Sequence, residues 1–174
     1  MVKTLVLSFI ANDETGIVDR VTEIVSEAGG NWSESRMAHL AEKFAGVARV
    51  TIPDAQAVKL RTALINLEEE GFHLIVEEVS DALTPEGRLL TLDFIGPDHP
   101  GILHEISHCL AENNVSVESM RTQLEPAPMG GGQLFHATGQ VRMPEDMTEE
   151  KLRQALEALA AALMVDISLI DKKD

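Results

Sequence analysis

The sequence predicts an α+β chain folded twice over: two antiparallel sheets, each with two helices packed on one face. Three observations predict it. The 174 residues contain an internal repeat, short segments alternate apolar and polar residues, and the segments between them space their apolar residues as helices do.

The repeat comes first because it sets the domain count. Shifted by 85 positions, residues 2–36 lie over 87–121 with nine identities: Leu5/Leu90, Leu7/Leu92, Phe9/Phe94, Ile10/Ile95, Asp13/Asp98, Gly16/Gly101, Ile17/Ile102, Glu27/Glu112 and Arg36/Arg121. The offset then becomes 91, pairing Phe44 with Phe135 and Pro53 with Pro144. The extra residues of the second copy fall within 125–132, a Pro- and Gly-rich loop composition. Two copies are too few for a solenoid. The expectation is a domain at 1–80, a linker at 81–87 and a second domain at 88–174.

Each copy reads in the same order. Leu5, Leu7 and Phe9, and Leu90, Leu92 and Phe94, give a first strand by alternation. The apolar stripe at 17, 18, 21, 24, 25 and 28, repeated at 102, 103, 106, 109 and 110, gives a helix. A hairpin follows at 31–38 and 43–52, then at 115–124 and 133–143. A second helix carries Leu60, Leu64 and Leu67, then Leu152, Leu156 and Leu159, with Glu149 and Glu150 suiting its start. Last comes a strand at 74–79 and at 165–170. This is the ferredoxin-like βαββαβ order, whose sheets leave edges that two domains can hide by pairing.

Composition removes several classes of function. The formal charge is −15, shared by both halves: seven Lys/Arg against thirteen Asp/Glu in residues 1–80, and seven against sixteen in 81–174. Nucleic-acid binding draws its affinity from cations displaced onto phosphates, so direct DNA contact is not expected, nor is an anionic membrane surface. Aromatics are 3%, with no Tyr, too few for base-stacking platforms. The single Cys109 suits a reducing, cytoplasmic location. The apolar opening at 1–10 runs directly into Asn12, Asp13 and Glu14, so it reads as a strand rather than a leader.

The strongest local feature is the turn from first strand to first helix, Asn12-Asp13-Glu14-Thr15-Gly16-Ile17 and Pro97-Asp98-His99-Pro100-Gly101-Ile102. Asp98 is expected to cap the helix and Pro100 to sit near its first position, where a missing N–H costs nothing. A Gly at 16 and 101 lets a ligand approach bare backbone, and helix-start amides favour a carboxylate. The plainer reading is that Asp and Gly only shape a tight turn.

These turns, the Gly29-Gly30-Asn31 step into the second strand and the duplicated element order resemble the ACT-domain family. With the segments 31–38 and 120–128, the tandem more closely resembles the glycine-cleavage-system transcriptional repressor group. The resemblance implies a regulator that binds a small amino acid, glycine in that group, and acts on a DNA-binding transcriptional activator protein without binding DNA. No cofactor is implied, and a homodimer is compatible with it. It implies a ligand site at a domain interface carried by Gly16 and Asn31, and in the second copy by Gly101 and Ser116; the turn residues Asn12, Asp13, Thr15 and Ile17, and Asp98, His99 and Pro100, complete the candidate site as donors and acceptors at the helix start. Ser116 stands where Asn31 aligns, so the two sites are not equal. A second reading is an interaction scaffold that binds no ligand.

Two enzyme readings come third. His104-Glu105-Ile106-Ser107-His108 matches the H-E-x-x-H zinc motif, but both His lie about 100–140° from Leu103 on the helical wheel, away from the stripe, and no third ligand is apparent. Arg20 and Asn31 loosely fit an acyl-phosphate hydrolase; Glu105 and Ser116 replace them in the second copy, and the plainer reading makes Arg20 a solvated helix residue. Neither catalytic nor metal-ligating residues are expected.

Overall fold

Alternation in the first strand becomes β1, Val2–Asn12, with Leu5, Leu7 and Phe9 buried. It is followed by α1 (Ile17–Glu27), the hairpin β2 (Asn31–Leu40) and β3 (Lys43–Pro53), α2 (Asp54–Ile65) and β4 (His73–Val79). The second copy repeats this as β5 (Arg88–Pro97), α3 (Ile102–Glu112), β6 (Ser116–Pro126), β7 (Gln133–Met143), α4 (Glu149–Leu163) and β8 (Asp166–Asp171). The computed structural model describes residues 1–80 and 86–171, so most of the expected linker lies outside the described residues. The chain divides into two compact units, Met1–Leu83 and Thr84–Asp174.

Both sheets are antiparallel, in the orders β2-β3-β1-β4 and β6-β7-β5-β8. The alignment shifts are visible in the registers. Leu7 pairs with Ala48 as Leu92 pairs with Gly139, and Phe9 pairs with Gly46 as Phe94 pairs with Ala137. A bulge interrupts β2 between Trp32 and Glu34, and β6 between Val117 and Ser119, at matching places in the repeat. In the first unit it lets Trp32 pack against the core while Glu34, two residues on, joins the opposite face.

Each core lies between the sheet and its helices. Leu7, Val50 and Ile52 meet Val21 and Val25 of α1 and Leu60 and Leu64 of α2; Leu92, Phe94 and Val141 meet Ile106, Leu110 and Leu152. Burying one such side chain contributes about 1.5–3 kcal/mol. The helical stripe is narrower than its sequence pattern. Val18 and Leu103 are exposed, because each sits about 100° around from the buried Ile17 or Ile102 and no element covers that flank. Leu67 is buried from a 3₁₀ turn, Asn66–Glu70, rather than from α2 itself, and Leu159 is only half-buried.

The helices end alike on different residues. Gly29 (φ 75°) donates to the Ser26 carbonyl at 2.9 Å and Gly30 to Val25 at 2.8 Å; Asn114 (φ 54°) and Val115 make the same two bonds to Ala111 and Leu110. This left-handed cap ends each helix and sends the chain into the next strand. Glu149 and Glu150 do open α4, where the Thr148 side chain accepts from the Lys151 amide at 3.3 Å.

Candidate functional site at the strand-to-helix turns

The two turns are built the same way. Asp13 donates its amide to the Glu42 carbonyl and Asp98 to Gln133, each at 3.0 Å, tying the turn to the hairpin end. Gly16 and Gly101 then stand at the N-caps with φ of 95° and 92°. Each accepts the first helical bond, from Arg20 at 2.9 Å and from Glu105 at 3.0 Å. No side chain caps either helix. The expected cap by Asp98 is therefore corrected, as is the place of Pro100. The helix begins at Ile102, so Pro100 lies outside it, and the left-handed Gly101 turns the chain in between.

That geometry leaves the first-turn amides of α1 and α3 without side-chain caps, and in α3 the Ile102 amide donates to the His99 carbonyl at 3.4 Å. A Cβ at Gly16 or Gly101 would meet nothing within 4 Å, so the approach is open. Asn12, Asp13 and Thr15 are exposed beside it, while Ile17 and Ile102 are core anchors that offer only backbone. The polar neighbours already have partners. Asn12 Oδ1 accepts from Lys43 Nζ, Asp13 lies 3.4 Å from His39 Nε2, and His99 Nδ1 lies 3.2 Å from the Pro100 carbonyl oxygen.

The structure does not bring Asn31 to this group. Asn31 pairs with Thr51 and Thr51 with Thr4, at the opposite end of the sheet from Asn12 and Lys43. The 11-residue α1 connects those ends, a span of about 16 Å. Ser116 is likewise at the far end, paired with Arg142. Within one unit the sequence-predicted residues thus form two groups, the turn and the start of the edge strand.

The enzyme constellations are also placed. His104 and His108 are exposed with rings stacked 5.9 Å apart, and His108 faces Glu112 at 3.5 Å. Among the described residues no cluster of three metal-ligating side chains exists. Arg20 is an exposed helix residue, and its Nη2 and Nε donate to Glu70 at 2.8 and 3.2 Å, which raises the guanidinium and lowers the Glu70 carboxyl from their ordinary values. It sits one turn into α1, remote from Asn31. Burial, then the Glu112 carboxylate, pushes the Cys109 thiol up, away from a reactive thiolate.

Sequence reading missed two features on the sheet faces turned away from the helices. In the first unit Ile10, Ala45, Val47 and Ile75 line a shallow depression of about 640 Å³. In the second, His136 is held between Asp93 (3.0 Å) and Glu125 (3.1 Å). The only sequence signal was apolar residues in the wrong phase of β3 and β4, which alternation assigns to solvent.

Residues 3–76 match the ACT domain family model. That match spans the first unit, and the second unit repeats its element order and strand order. The fold of the chain matches the crystal structure of an unknown protein from Galdieria sulphuraria at TM-score 0.89, with 26% identity over 99% of this chain and 100% of that one. It also matches the structure of a "putative glycine cleavage system transcriptional repressor" at TM-score 0.74, with 20% identity over 100% of this chain and 99% of that one. No curated protein matches in sequence. Among the described residues no helix is long and apolar enough to cross a membrane.

Proposed function

We propose that this ACT-type tandem is an amino-acid-responsive regulator that works by contact with another protein, and that it is not an enzyme. The observation that carries the reading is the pair of glycine-led helix starts that no side chain caps, the α1 start above all, since in α3 the Ile102 amide already donates to the His99 carbonyl. The ammonium group of the ligand would turn to the Asp13 or Asp98 carboxylate beside it. The finer reading, glycine as ligand and a DNA-binding transcriptional activator of glycine-cleavage genes as partner, is supported by the likeness in fold to the protein named above as a repressor. The charge of −15 supports action without direct DNA contact.

Titration calorimetry with glycine, then with the other amino acids, tests it. Gly16→Val should weaken binding about ten- to a hundredfold, the worth of a hydrogen bond to a charged group of about 1.5–3 kcal/mol. A ligand-free melting curve separates that loss from strain at a residue with φ of 95°. Asn31 can touch a ligand held at Gly16 only when a second copy of the chain supplies it, so the effect of Asn31→Ala should depend on protein concentration. If no amino acid binds the wild type, the ligand-free scaffold takes the place of this reading.

A further inference from the structure

The outer face of the first sheet, opposite its helices, carries an apolar centre that its own fold does not use. By register, Ser8 lies between Val47 and Ile75 in one row, with Ile10 and Ala45 in the next. Val47 is 50% and Ile75 62% exposed. At the matching registers of the second sheet stand Asp93 between Thr138 and Ser168, with Ile95 between His136 and Asp166 in the next row. Thr favours strands as Val does, so strand propensity does not account for the difference. An equivalent sheet folds without that apolar surface.

Charge separates this face from the rest of the unit. Three of the thirteen Asp/Glu in residues 1–80 lie on it, Glu34 and Glu77 by register and Glu68 lining its depression, against three of the seven Lys/Arg, Arg36, Lys43 and Arg49. The face carries no net charge (three cations against three anions) and the remainder of residues 1–80 carries −6 (four against ten). Its cations run along β2 and β3, where Glu34 pairs with Arg36 at 3.2 Å and Arg49 at 2.9 Å and leaves that side at +2, and Glu77 and Glu68 lie toward β4 at the other side.

We propose that this face docks on the same face of a second copy of the chain, forming a two-fold, sheet-on-sheet dimer. An apolar centre requires an apolar counterpart, and the same face supplies one. A two-fold axis along the strands lays the β2–β3 side of one copy over the β4 side of the other, so the basic side meets the acidic side. The strongly acidic helical surfaces then point apart, which a chain of −15 requires of any self-association. Four strands at about 4.8 Å spacing and about ten residues of length give roughly 600 Å² of face, so two copies cover roughly 1,200 Å². That exceeds the roughly 1,000 Å² of a specific interface by little, and the dimer is expected to be weak, with a dissociation constant on the order of 10 μM.

Sedimentation velocity across a concentration series tests the proposal on the full chain. The wild type should move from monomer to dimer. Val47→Thr with Ile75→Ser, residue types that the second sheet already holds at those registers, should raise the dissociation constant at least tenfold while leaving the circular dichroism unchanged. Val58→Thr, on α2 and 77% exposed, should change nothing. A wild type that stays monomeric to the highest concentration overturns the proposal. So does association that the double variant leaves as strong as before, because another surface then holds the copies together.

Discussion

The inner faces of the two sheets match and the outer faces do not. Leu7 and Leu92, Phe9 and Phe94, and Val50 and Val141 occupy equivalent places against the helices, all buried. On the other side of the same strands, Ser8 answers to Asp93, Ala45 to His136 and Val47 to Thr138. The difference shows where the repeat is constrained. A residue beneath the helices must fill a fixed volume, whereas a residue on the open face answers only to what lies above it. One outer face has become apolar, and the other has become a charged cluster centred on an imidazole.

The largest expected effects test the inner half of that comparison. Leu7→Ala and Leu92→Ala should each destabilise by about 2–5 kcal/mol, and by similar amounts, since both are fully buried in the central region of their sheets. Denaturant unfolding of the two variants measures this. A loss at one site several times that at the other would show that the repeat matches in sequence but not in packing.

A smaller effect separates the second helices. The Thr148 cap of α4 should be worth about 1 kcal/mol on replacement by Ala. In the first unit Pro53 stands at that place and no side chain caps α2, so the asymmetry has no counterpart to remove. Thermal unfolding of Thr148→Ala reads it directly.

The smallest effect tests the outer faces through pH. Asp93, then Glu125, raises the His136 pKa above its ordinary value, and His136 with Gln123 lowers that of Glu125. Across β5, Asp166 shares the row of His136, and Arg121 lies in the neighbouring row on β6. A raised imidazole contributes stability that is full below the unfolded value, about 6.5, and is lost as pH rises through the folded value. The depressed Glu125 contributes stability that is lost in acid instead. Melting temperatures taken from pH 6 upward should therefore fall more steeply in the wild type than in His136→Ala. Equal slopes would mean the cluster is geometric only. The first unit, with Ala45 at this register, has no such imidazole.

Much of the site was legible as residue types and little of it as geometry. Gly16 and Gly101 stood out because an Asp-x-x-Gly-Ile turn recurs, and both proved to be left-handed N-caps. The Asp98 cap failed because capping chemistry does not fix where a helix starts, and α3 has its N-cap three residues further on, at Gly101. Asn31 was grouped with Gly16 by resemblance, and the register separates them by the length of α1. The histidine pair was correctly placed outward, since a helical wheel is a local property.

The sequence by itself determined the duplication, the order of strands and helices, and the residues that fill each core. Those follow from periods of about two and 3.6 residues, which any segment must show if one of its faces is to be buried. Only the tertiary structure decided which distant residues meet. Asp93, His136 and Glu125 converge from three strands, and Val47 and Ile75 flank Ser8 in one row of the first sheet, because cross-strand register sets them side by side. No local period encodes a register between segments dozens of residues apart; it is fixed when the inner faces close on their helices, and the outer faces inherit the result.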